Sequence, residues 1–101
     1  MILAIDFDGV IHDNKHPIEG RRMGPPIKGA KEALETFIKR GDTIIVFTVW
    51  GGVKGQKTIS DFMHYYHLPF NQITNIKPQA DVYIDDKGLR FINWEEVLKI
   101  L

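Results

Sequence analysis

The sequence predicts an α/β fold of three layers, a parallel sheet with helices on both faces. Short apolar runs, Ile2-Leu3-Ala4-Ile5 and Ile44-Ile45-Val46-Phe47 among them, alternate with longer stretches of helical period. Strands that are apolar along their whole length are buried on both faces, and helical connections between them produce that cover. The 101 residues make one domain, residues 1–101, with room for a core but not for a separate substrate-binding lobe.

Residues 2–7 form the first strand, a short β-compatible run that ends at a glycine turn. Residues 10–26 are irregular, because Asn14, Pro17, Gly20, Gly24, Pro25 and Pro26 break any period. From Ile27 to Arg40, apolar side chains at Ile27, Ala30, Leu34, Phe37 and Ile38 trace a helical stripe, and Gly41 stands where a helix end favours a left-handed residue. Thr43 to Thr48 is the second buried strand. Gly51, Gly52 and Gly55 mark a flexible loop ahead of a second helix that carries Ile59, Phe62, Met63 and Tyr66 on one face. Ile73–Ile76 and Val82–Ile84 are short strands, and Leu89–Ile92 is a small edge strand. Asn93, with Glu96 three residues on, caps a final helix lined by Trp94, Val97, Leu98 and Leu101.

Composition removes several function classes. Thirteen basic and thirteen acidic side chains balance to zero net charge, so nothing global favours nucleic acid or an anionic membrane as partner. Without cysteine there are no disulfides, thiolate metal sites or cysteine nucleophiles. No apolar stretch approaches the ~20 residues of a membrane span. No basic segment and cleavage site precede the first strand, so the cytoplasm is the expected compartment.

Ligands of open parallel sheets collect at the carboxyl ends of the strands. Polar groups stand at these ends one after another: Asp6 and Asp8 after the first strand, Thr48 after the second, Lys77 after the third, Asp85 and Asp86 after the fourth. Side chains two apart on a strand share a face, which pairs Asp6 with Asp8. Carboxylates 4 Å apart repel by roughly 4 kcal/mol per pair at an effective dielectric of 20, more than one lysine offsets. A dication resolves that repulsion, and oxygen ligands without cysteine favour Mg2+ over zinc. Metal, lysine and threonine around an aspartate would hold a phosphoryl group, which the aspartate can attack directly.

At these residues the chain resembles the haloacid dehalogenase superfamily of phosphohydrolases. Asp6-Phe7-Asp8-Gly9 matches its first motif, Thr48 its second, Lys77 its third, and Asp85 with Asp86 its fourth. The match runs from residue 2 to residue 86 in the family's order. The resemblance implies a Rossmann-like domain and a magnesium-dependent phosphate monoesterase working through an aspartyl-phosphate. It makes Asp6 nucleophile and metal ligand. Asp8 becomes general acid and then base, with its main-chain carbonyl on the metal. Thr48 and Lys77 become phosphoryl binders, and Asp85 and Asp86 metal ligands. Family members often carry an inserted cap domain. Here about twenty residues separate Asp8 from the first helix, so the chain resembles a capless member, whose open site implies a bulky substrate, a lid from another subunit or low selectivity.

The irregular segment holds His12, Asp13, Lys15, His16, Arg21 and Arg22, and reads first as a polar flap facing solvent. Arg21 and Arg22 are its candidates for touching a leaving group. Trp50, two residues past Thr48, is a candidate to stack on substrate at the mouth of the site. His64 and His67 share the second helix without a third ligand, and Tyr65 and Tyr66 read as packing residues. Two other classes fit less well. A phosphoacceptor receiver needs an aspartate at a strand end between the acidic pair and the threonine, where this chain has none. A catalytically silent binding or regulatory protein would have no need of reactive side chains in all four motifs. The phosphorylated substrate itself is not named by the sequence.

Overall fold

The computed structural model describes residues 1–13, 24–48, 52–76, 78–85, 89–90 and 92–101. Their strands form one parallel sheet with the order β3-β2-β1-β4-β5. The strands are β1 (Ile2–Asp6), β2 (Thr43–Phe47), β3 (Gln72–Thr74), β4 (Val82–Asp85) and β5 (Leu89–Arg90). Three helices accompany them: α1 (Ala30–Lys39), α2 (Gly52–Tyr65) and α3 (Trp94–Ile100). The fold is thus Rossmann-like α/β, with β1 at its centre.

Register explains the burial. Leu3 pairs with Ile44 and Val82, and Ile5 with Val46 and Ile84, so these side chains share one face of the sheet. There they join a single core with Ala30, Ala33, Leu34 and Phe37 of α1, Ile59, Phe62 and Met63 of α2, and Trp94 and Val97 of α3. All three helices therefore cover the same face. The opposite face carries Ala4 and Ile45, which pair with each other, are buried, and stand outside that core.

Among the described residues no helix covers this second face, for a topological reason. The chain must pass from β3 at one edge to β4 on the far side of β1, and right-handed crossover carries it over the face opposite α1 and α2. Only residues 75–81 make that passage, too few for a crossover helix. The Tyr83 hydroxyl donates to the Pro78 carbonyl at 2.5 Å and ties the connection to the face. At its end Asp81 clamps the start of β1: its carboxylate accepts from the Ile2 N–H at 2.6 Å, and its own N–H donates to the Ile2 carbonyl at 2.8 Å.

Helix ends follow local chemistry. After α1 the Gly41 N–H donates to Ile38 and the Asp42 N–H to Phe37, with Gly41 at φ 86°, a Schellman arrangement at the expected glycine. Asn93 caps α3 by accepting from the Glu96 N–H at 2.9 Å. Helix α1 begins at Ala30 rather than Ile27, because Gly29 takes φ 88° and the Ile27 N–H is committed to the Ile11 carbonyl at 2.8 Å. An added Cβ at Gly29 would stand 3.3 Å from Trp94 Cβ, so glycine also admits α3 at close range. Gly52 and Gly55, expected in a loop, lie within α2, where packing of its apolar face outweighs low propensity. Strand β3 spans Gln72–Thr74, because the Thr74 hydroxyl bonds both the N–H and carbonyl of Ile76 and turns the chain. Strand β5 is likewise shorter than expected. Tyr66 packs against the core as expected, but Tyr65 is 72% exposed and meets Tyr66 edge-on. Among the described residues no helix is long and apolar enough to cross a membrane.

Candidate active site at the carboxyl edge of the sheet

Asp6 closes the central strand, paired with Phe47 on one side. On the other side Ile5 pairs with Ile84, so Asp85 stands one step further along, level with Asp6. Register partners in a parallel sheet project to the same face, and neighbouring strands lie about 4.8 Å apart. Two aspartates thus stand level at the middle of the sheet's carboxyl edge, both partly exposed. Carboxylates about 5 Å apart repel by roughly 3 kcal/mol in an effective dielectric of 20.

Thr48 follows Phe47 on the neighbouring strand and is fully buried. Its N–H continues the ladder to the Thr74 carbonyl at 3.0 Å, which fixes it at the end of β2. Between the two aspartates of the first motif, Phe7 points into the core with no exposed surface. Its N–H donates to the Phe47 carbonyl at 3.1 Å, so the ladder runs one residue past β1 before the chain turns.

That turn is built around one acceptor. The N–H groups of Val10, Ile11 and His12 all donate to the Phe7 carbonyl, at 3.4, 3.0 and 3.2 Å. Gly9 makes the bend at φ 75°, where a side chain would be strained, and its N–H donates to the His12 carbonyl at 3.0 Å. Beyond the turn, the Asp13 N–H donates to Pro25 and the Ile27 N–H to Ile11, each at 2.8 Å. Residues 13 and 25 are thus held side by side beyond the turn.

The turn holds a feature that sequence reasoning missed. His12, read as part of a solvent-facing flap, is 1% exposed. Its Nε2 lies 2.6 Å from Oδ1 of Asp8, whose side chain is 28% exposed. The imidazole lies against the Phe7 ring at a centroid distance of 4.6 Å and meets Phe62 at 6.1 Å. Val10 and Ile11 are buried as well, so the start of the irregular segment belongs to the core. The apolar pair Val10-Ile11 just ahead of a histidine is the signal that could have disclosed this.

Of the residues singled out from the sequence, Asp6, Asp8, Thr48 and Asp85 come together at the ends of β1, β2 and β4 and on the turn after β1. Arg21, Arg22, Trp50, Lys77 and Asp86 lie outside the described residues. Among the described residues no group of three histidine or acidic side chains is gathered at metal-binding distance. The level pair Asp6 and Asp85 offers carboxylate oxygens, donors of the kind a hard cation takes.

A solved structure of a conserved protein from Bacteroides thetaiotaomicron is similar in fold, with a TM-score of 0.78 over 99% of this chain and 88% of that one, at 22% identity. No protein-family model matches the chain, and no curated protein matches it.

Proposed function

We propose that the chain is a phosphohydrolase of the haloacid dehalogenase type, cleaving phosphate monoesters through an aspartyl-phosphate on Asp6. The observation that carries this reading is the β2–β1–β4 register, which sets Asp6 and Asp85 level, with Thr48 and Asp8 on the adjoining strand end and turn.

The roles follow from position. An Asp6 carboxylate oxygen attacks phosphorus, and the bond from phosphorus to the leaving oxygen breaks. Asp8 gives its proton to that oxygen. Water then attacks the acyl phosphate, Asp8 takes the water's proton, and phosphate departs with the Asp6 carboxylate restored. The Thr48 hydroxyl donates to a phosphoryl oxygen, and Lys77 offsets phosphoryl charge. Mg2+, held by Asp6, Asp85, Asp86 and the main-chain carbonyl of Asp8, would supply the positive charge that a phosphoryl group and these carboxylates require. In this scheme Arg21, Arg22 and Trp50 are the candidates for contact with the leaving group.

The test is phosphate release from a broad panel of monoesters with Mg2+ and with EDTA. Turnover is expected with the metal and at least about 10²-fold less without it, since fixed positive charge facing the phosphoryl oxygens usually supplies much of the rate enhancement in such reactions. On the capless reading small esters contribute little binding beyond the phosphate, so high KM values and broad tolerance are expected. Turnover unaffected by EDTA, or none across the panel, would exclude the proposal.

A further inference from the structure

We infer that His12 is a positioning residue for Asp8, holding one carboxylate oxygen so that the other alone handles the proton. The inference rests on the phosphohydrolase reading and adds to it a residue outside the motif set.

A carboxylate accepts hydrogen bonds and donates none, so with Asp8 ionised the contact at 2.6 Å is an Nε2–H donated to Oδ1. The imidazole has little freedom to move. It is 1% exposed, lies on Phe7 and meets Phe62, and its main-chain N–H and carbonyl are both engaged within the turn. A fixed donor on Oδ1 divides the two oxygens of Asp8 by task. When Asp8 is protonated, the hydrogen belongs on Oδ2, because Oδ1 already faces an N–H. As the phosphorus–oxygen bond breaks, that hydrogen moves to the leaving oxygen and its bonding pair stays on Oδ2. In the second step Oδ2 takes the proton of the attacking water. His12 neither gains nor loses a proton in either step. It holds the Asp8 side chain in one orientation, and proton transfer depends steeply on that alignment. A buried histidine satisfied by any nearby acceptor would not need its partner to be a reacting group. Here the partner is the second aspartate of the Asp6-Phe7-Asp8 pair, partly open to solvent at the strand end.

The experiment compares wild type, His12→Phe and His12→Gln on two substrates with Mg2+. Ethyl phosphate has a leaving group that needs a proton, and p-nitrophenyl phosphate has one that scarcely does. Phenylalanine keeps the ring packing and removes the donor, whereas glutamine keeps a donor near the Nε2 position. His12→Phe is expected to lower kcat/KM for ethyl phosphate by about 10²-fold, the scale of a general-acid contribution. The loss with p-nitrophenyl phosphate should be at least tenfold smaller, and His12→Gln should recover much of the difference. An equal loss on both esters, or no loss on either, overturns the inference while Mg2+-dependent turnover by wild type leaves the parent reading intact. Absence of turnover by wild type overturns both. Should His12→Phe fail to fold, nitrogen-15 histidine spectra of wild type and Asp8→Asn decide the question. A shifted His12 Nε2–H signal in Asp8→Asn supports the contact, and an unchanged one overturns it.

Discussion

Asp6→Asn is expected to cut phosphate release by at least about 10³-fold while the protein stays folded, since removing a nucleophile typically costs that much or more. The amide has nearly the carboxylate's shape but does not form the acyl phosphate. Substitution also removes one of two like charges at the carboxyl edge, where Asp6 and Asp85 end adjacent strands. The metal-free variant should therefore melt within a few degrees of wild type, or slightly above it. Activity assays paired with thermal melts in EDTA check both halves. Retained turnover would move the nucleophile elsewhere, and a collapsed melt would make Asp6 structural.

The second large effect concerns Phe7, which no catalytic scheme would name. Its side chain is wholly buried between the two aspartates, edge-to-face with Phe62 at 5.3 Å and against His12 at 4.6 Å. Phe7→Ala removes a buried ring at the top of the core, and such truncations cost about 3–5 kcal/mol. Whole domains of this kind are stable by only about 5–15 kcal/mol. With about 4–8 °C lost per kcal/mol at this size, the melting temperature should fall by more than about 12 °C. Phe7→Leu, which keeps most of the volume, should fall much less. The cavity also removes the surface that supports His12, so activity measured well below the melt should drop in Phe7→Ala by more than the unfolded fraction accounts for.

Asp6 and His12 show what the sequence discloses and what it hides. Asp6 and Asp85 were legible because short apolar runs identify buried strands, and parallel strands present their carboxyl ends together. The Gly41 end of α1 and the Asn93 cap of α3 were legible for an equally local reason, since each motif is closed within a few residues. His12 was not. Its burial depends on a tight turn around the Phe7 carbonyl, and nothing periodic in a segment rich in glycine and proline announces that turn. The uneven cover of the sheet was hidden too, because it follows from strand order. With β4 on the far side of β1 from β3, seven residues must cross a face that a longer link would have filled with a helix. Tyr65 follows the same lesson, as helical spacing next to Tyr66 does not decide which of two adjacent rings reaches the core.

Whether Asp6 takes the phosphoryl group is tested most directly by a crystal structure of the protein treated with Mg2+ and beryllium fluoride, which mimics an acyl phosphate on a carboxylate. The trifluoroberyllate is expected on a carboxylate oxygen of Asp6, with Thr48 Oγ1 within hydrogen-bond distance of a fluorine. The same group on Asp85, Asp86 or Asp13, with Asp6 unmodified, would contradict Asp6 as the acceptor.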